Sequence, residues 1–269
     1  MSQPVANPYD SQAIKACCTA VYGSEWTRML LGDSFHPGGL SLTERLGCLL
    51  ELSPNQRVLD VAAGRGTSAR FLARRFSCQV VGLEYGRDAV ALAREATGHA
   101  GLNGQVCFVQ GDAETPLFAG GVFDAVLCEC SFCLFPNKMA VATEWVHILK
   151  PGGWLGLSDL VLSGPLPASL DSLLGWVTCL AGAQPVEGYV AFLEAAGLTI
   201  TRVELHDVAL EELVRQVQGR LLTLELWLKL RQVNVPELDF NRAREIAHDV
   251  SNAVRTRHLG YTLIIARKQ

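Results

Sequence analysis

The chain has 269 residues, 49% of them hydrophobic and 19% charged, enough for one well-buried domain with appendages. A net charge of −4, a pI near 5.9 and scattered basic residues exclude the electrostatic footprint of a nucleic-acid binder. No apolar stretch reaches the roughly 18 residues that a membrane span needs. The first residues, Met1-Ser-Gln-Pro-Val-Ala-Asn-Pro8, lack the basic and apolar regions of a secretory leader, so a cytoplasmic location is expected. In such a reducing compartment the 9 cysteines stay as thiols.

Helices are predicted over 11–22 and 25–31, then a loop, Gly32-Asp-Ser-Phe-His-Pro-Gly-Gly39, and a helix over 40–52. Pro37 stiffens that loop and its glycines free it. It is a candidate cover for a ligand, with Asp33 or Ser34 near the ligand's amino group. His36 is a candidate proton acceptor near neutral pH, and Tyr22 and Trp26 are candidate walls of an acceptor pocket. An apolar run over 58–62 then leads into Gly64-x-Gly66 and a helix over 67–75. That succession is a strand, a tight glycine turn and a helix N-terminus. Without Cβ atoms the backbone can approach a ligand closely, and the helix start offers unpaired N–H groups to an anionic moiety.

A second apolar run, 79–84, ends in Glu84, placed to accept hydrogen bonds from both hydroxyls of a ribose. A third, 106–110, precedes Gly111-Asp112-Ala113-Glu114, which sets an acid where an adenine amino group can be read. A fourth, 123–128, leads into Glu129-Cys130-Ser131-Phe132. A helix over 138–149, the turn Lys150-Pro-Gly-Gly153 and a fifth run, 154–160, follow. Beyond Ser163-Gly-Pro-Leu-Pro167 the pattern predicts helices over 169–180 and 186–196 and a strand over 199–205. Helices over 209–230 and 239–257 come next, and a final strand over 260–266 closes the chain.

The series over 57–160 resembles the class I S-adenosylmethionine (SAM)-dependent methyltransferases. The resemblance implies an α/β fold with a Rossmann-like seven-stranded sheet. It places an N-terminal helical cap over 1–56 and a SAM-binding core over 57–205, with a substrate segment at 163–197. Residues 206–269 then supply a helical insertion between the last two strands and the strand that completes the sheet. It also implies SAM as the cofactor, bound through Asp60, Ala62, Gly64, Gly66, Thr67, Glu84, Tyr85, Asp112, Ala113 and Glu129. A dinucleotide fingerprint would read Gly-x-Gly-x-x-Gly, and Ala69 at the third position is tolerated there. Asp60 just before the turn and Lys-Pro-Gly-Gly before the fifth strand favour the methyltransferase reading.

The segment 179–197, opening with Cys179-Leu-Ala-Gly-Ala183, resembles the arsenite methyltransferases. In that family a second cysteine at the exit of the fourth strand falls at Cys130 here. The resemblance implies that Cys130 and Cys179 hold As(III) as substrate, with no metal cofactor. Trivalent arsenic is soft and prefers thiolates, and a metalloid nucleophile needs positioning more than a strong base. A third sulfur is expected from Cys17 or Cys18. Cys48, Cys78, Cys107 and Cys128 sit in apolar patterns and are expected in the core. Two rival functions stand beside this one. One is methyl transfer to an oxygen, nitrogen or carbon of a small metabolite, assisted by His36, Glu129 or Asp33. The other is non-catalytic metal or metalloid binding by a thiol-rich protein on the same scaffold. In each case the partner is a small molecule or metalloid, not nucleic acid or membrane.

Overall fold

A computed structural model of the chain describes residues 10–32, 34–115, 117–164, 179–180, 182–229 and 240–269. Seven strands form one sheet: β1 (Arg57–Val61), β2 (Gln79–Glu84), β3 (Val106–Gln110), β4 (Phe123–Glu129), β5 (Leu149–Leu162), β6 (Leu198–Leu205) and β7 (Leu259–Lys268). Their order is β3-β2-β1-β4-β5-β7-β6. The first five are parallel, and β7 inserts antiparallel between β5 and β6. The strand order reverses between β1 and β4, and in open α/β sheets that switch point opens a crevice at the carboxyl ends. The sheet is buried on both faces, so β1 and β4 read as nearly continuous apolar runs.

The helices are α1 (Ser11–Gly23), α2 (Glu25–Leu31), α3 (Gly39–Leu49), α4 (Thr67–Phe76), α5 (Arg87–His99), α6 (Lys138–Ile148), α7 (Val186–Ala195), α8 (Asp207–Lys229) and α9 (Phe240–Arg255). Caps place α1 and α2: Asp10 accepts from the Ala13 N–H and Ser24 from the Thr27 N–H. α4 buries Ala69, Leu72 and Ala73, the i, i+3, i+4 stripe of a helix lying on a sheet. α5 is not among the expected helices, although Val90, Ala93 and Thr97 bury a stripe at helical spacing; its N-cap Gly86 makes no side-chain bond. One apolar cluster joins α3, α4 and α5 to one face of the sheet, and a second joins α6 and α7 to the other.

Three expectations change on folding. Lys150-Pro-Gly-Gly153 is not a turn ahead of the strand but lies within β5. There the pairing with β4 jumps from Phe123↔Leu149 to Ala125↔Trp154, and Gly152 takes a positive φ of 74°. Cys48 and Cys107 are exposed, whereas Cys78 and Cys128 are buried. Cys107 lies on the edge strand β3, where alternate residues face outward, and Cys48 lies off the face that α3 buries through Leu42, Thr43, Leu46 and Gly47. The helix expected over 169–180 falls outside the described residues except for Cys179 and Leu180, which lie in a turn. Asp33 and the side chain of Trp26 also lie outside them.

Candidate active site

At the switch point lies a cavity of about 680 Å³. Asp60, Ala62, Gly64 and Thr67 line it from the β1–α4 connection, Glu84 and Tyr85 from the end of β2, and Glu129 and Cys130 from the end of β4. From the N-terminal region come Cys18, Tyr22, Ser34 and His36. A smaller recess of about 80 Å³ continues past Glu84 to Asp112 and Ala113. Gly66 lines neither cavity. A Cβ there would lie 2.2 Å from the Phe108 ring, so its glycine serves packing.

The glycine loop is shaped by backbone. Ala62 has φ 56° and Gly64 φ 53°, in the left-handed region that side chains disfavour. A Cβ on Gly64 would meet nothing within 4 Å, so hydrogen there leaves open space against the cavity. Glu84 accepts from the Gly64 N–H at 2.9 Å and the Gly86 N–H at 2.7 Å. These bonds orient its carboxylate, while burial pushes its pKa up. Asp60 is buried, and its Oδ2 has no hydrogen-bond partner. Burial, reinforced by the charges of Glu129 and Glu84, holds its pKa well above the carboxylate range. An unsatisfied buried acceptor beside two other acids calls for a cationic or N–H-bearing ligand. The ammonium of a bound methionine moiety fits that demand, and the paired acceptors of Glu84 fit ribose hydroxyls.

The adenine-side acid has a protein partner. Lys15 of α1 pairs with Asp112 at 2.7 Å and also with Glu114. This draws α1 down onto the recess, an interaction that no local pattern in the sequence signals. Glu129 is similarly engaged. Thr43 donates to both its oxygens at 3.0 and 3.1 Å, and Ser68 donates to Oε2 at 2.6 Å. His36 is buried, and its Nε2 lies 3.5 Å from Glu129 Oε2. Thr43 and Ser68 escaped the sequence reading because only the fold brings α3 and α4 against the end of β4.

The thiols converge in space. The Cys179 Sγ lies 3.3 Å from the Tyr22 hydroxyl. Cys130 and Tyr22 line the main cavity, while Cys133 and Cys179 are buried behind them. Cys130 has φ 52° and Cys179 φ 67°, so two non-glycine residues at one site hold a costly backbone conformation. Bonds from Cys130 and Cys133, with Tyr22 and the nearby charge of Lys138, hold the Cys179 thiol well below the usual thiol range. Its Sγ is also 3.4 Å from the Cys130 carbonyl oxygen, a contact that it makes as donor only while protonated. The bond to Cys179 and burial raise Cys130, and burial raises Cys133. Cys18 feels the charge of Cys179, and burial pushes its thiol up to about 12. Cys17 is half-buried and lines neither cavity. Among the described residues no three Cys, His, Asp or Glu side chains are spaced as a metal cage.

Comparison with known proteins agrees with this architecture. Residues 58–153 match the family described as "Methyltransferase domain". The chain is 30% identical over 214 residues to methyltransferase GfsG of Streptomyces halstedii, covering 77% of this chain and 76% of that one. It is 27% identical over 185 residues to an arsenite methyltransferase of Halobacterium salinarum, covering 62% and 44%. Phosphoethanolamine N-methyltransferase 2 of Haemonchus contortus, solved in complex with SAM, superposes with a TM-score of 0.77 at 19% identity, over 93% of this chain and 57% of that one. No helix among the described residues is long and apolar enough to cross a membrane. An enzyme reading displaces the non-catalytic one, and the glycine turn, the strand-end acids and this kinship agree: the chain belongs to the class I SAM-dependent methyltransferases.

Proposed function

We propose that the methyl acceptor is a small thiophilic centre, trivalent arsenic as arsenite or methylarsenite, held by Cys130 and Cys179. The observation that carries this reading is that the Cys179 Sγ lies 3.4 Å from the Cys130 carbonyl oxygen, although the two residues lie 49 positions apart in the chain. The likeness to the Halobacterium salinarum arsenite methyltransferase supports it. When bound, SAM supplies an electrophilic sulfonium methyl. Asp60, Gly64 and Glu84 hold its methionine and ribose portions, and Asp112 borders the adenine recess. The thiols hold the acceptor at the β4 side of the same cavity, so catalysis is positioning of two bound partners. Soft sulfur selects arsenic over hard oxygen acceptors. A cytoplasmic setting keeps the thiols reduced.

A second reading rests on His36 and Glu129. With His36 Nε2 3.5 Å from Glu129 Oε2 and both on the cavity wall, the pair is placed to take a proton from an oxygen or nitrogen nucleophile. The two readings separate in one assay. The protein is incubated with SAM and arsenite, and methylated arsenic and S-adenosylhomocysteine are quantified for wild type, Cys179→Ser and His36→Ala. Loss in Cys179→Ser with retention in His36→Ala supports the metalloid reading. No methylated arsenic from wild type overturns it.

A further inference from the structure

We infer that Glu129 reads the charge of the cofactor, so that the site prefers the sulfonium of SAM to the neutral thioether of S-adenosylhomocysteine. This rests on the cofactor assignment and on neither acceptor reading. The Glu129 side chain is 5% exposed, and it lines the main cavity. Its oxygens take hydrogen bonds from neutral groups, the hydroxyls of Thr43 and Ser68. His36 Nε2 stands 3.5 Å away and adds charge only when protonated. Among the described residues no lysine or arginine pairs with Glu129. The cations nearby are engaged elsewhere. Arg65, on the cavity wall, pairs with Glu25 at 2.6 Å, and Lys15, in the adjoining recess, pairs with Asp112 and Glu114. A buried carboxylate that is hydrogen-bonded but not ion-paired is a charge that a cationic ligand can complete.

The sheet register says which cation. Val61 of β1 pairs with Leu83 of β2 on one side and with Cys128 of β4 on the other. Glu84 and Glu129 therefore leave the sheet on opposite sides of Ala62, where the glycine loop opens, and neighbouring strands lie about 4.8 Å apart. In SAM a single methylene joins the sulfur to the ribose. A ribose held at Glu84 thus leaves the sulfur within reach of the acid on the far side of Ala62, while Asp60 answers the ammonium. Methyl transfer removes the sulfonium charge. The S–CH3 bond breaks, the methyl passes to the acceptor, and the electron pair stays on sulfur as a neutral thioether. A charge–charge attraction in a partly buried site is stronger than in water, so the product lacks an interaction that the substrate has. Product release is built into the charge of Glu129.

The test is calorimetric titration of SAM, S-adenosylhomocysteine and sinefungin, an analogue whose amine carries positive charge in place of the sulfonium. It is run at about pH 8, where histidine side chains in general are uncharged. Wild type is expected to bind SAM and sinefungin at least about tenfold more tightly than S-adenosylhomocysteine. Glu129→Gln keeps the shape and drops the charge, and should cut both preferences below about threefold. S-Adenosylhomocysteine binding by Glu129→Gln shows that the variant folds. If it does not fold, the wild-type ratios decide. A wild-type preference below about tenfold, or a Glu129→Gln protein that keeps one above about threefold, overturns the inference and leaves the cofactor assignment standing. Wild type that binds none of the ligands overturns both.

Discussion

The two ends of the main cavity are built by different means. The glycine-loop end is backbone. Its shape comes from positive φ at Ala62 and Gly64 and from N–H groups of Gly64 and Gly86 that steer Glu84. The thiol end is side chain. Its groups come from α1, the exit of β4 and a turn within the substrate segment, and they meet only through tertiary contact. Backbone devices need contiguous residues and tolerate many sequences around them. Side-chain clusters can be exchanged singly, so one fold can keep its cofactor and change its acceptor.

The largest expected effect sharpens that contrast. Cys130→Ser with Cys179→Ser should lower arsenite methylation at least about 100-fold, since a soft ligand pair is lost with little change in volume. S-adenosylhomocysteine affinity, measured by calorimetry, should stay within about twofold. An equal fall in both would mean that the two ends are not separable. Gly64→Val is the mirror experiment. A β-branched residue at φ 53° carries roughly 1–2 kcal/mol of strain, and its methyls enter the space facing the cavity. Binding of S-adenosylhomocysteine should fall about tenfold or more, while phenylarsenoxide binding persists.

Glu84→Ala should weaken SAM binding by roughly 1–3 kcal/mol, because a charged acceptor is removed and two loop N–H groups lose their partner. An unchanged dissociation constant would place the ribose elsewhere. Asp159, behind the thiols, gives a pH signature. Burial and the charge of Cys179 raise its pKa to about 7, above the roughly 3.9 of an unfolded aspartate. Between those values the unfolded chain loses a proton that the folded one keeps, so stability should fall as pH rises from about 4 to 7 and then level off. Urea unfolding of Asp159→Asn across that range should show the slope flattened. An identical slope would assign the effect to other groups.

The smallest effect lies outside both ends. Arg45 donates to Glu204 through Nη2 at 2.6 Å and Nε at 3.1 Å, and these bonds from Arg45 are the main reason the Glu204 pKa falls to about 2. Its stabilisation is present above the ordinary glutamate pKa and lost as pH falls toward 2. Glu204→Gln should cost under about 1 kcal/mol and leave both ligand affinities untouched, which makes it the control for the other variants.

By itself the sequence determined the sheet, the glycine turn and the strand-end acids. Each depends on neighbours in the chain: apolar runs, a Gly-x-Gly spacing, an acid directly after a strand. Even there the reading missed α5, whose N-cap Gly86 gives no side-chain start signal, and placed Cys107 in the core because an edge position is invisible without the strand order. Tertiary structure alone decided that Lys15 pairs with Asp112, that Thr43 and Ser68 hold Glu129, and that Tyr22 and the Cys130 carbonyl meet Cys179. The physical reason is range. Backbone conformation is set by local sterics, whereas the meeting of side chains from distant segments follows from how the helices settle on the sheet.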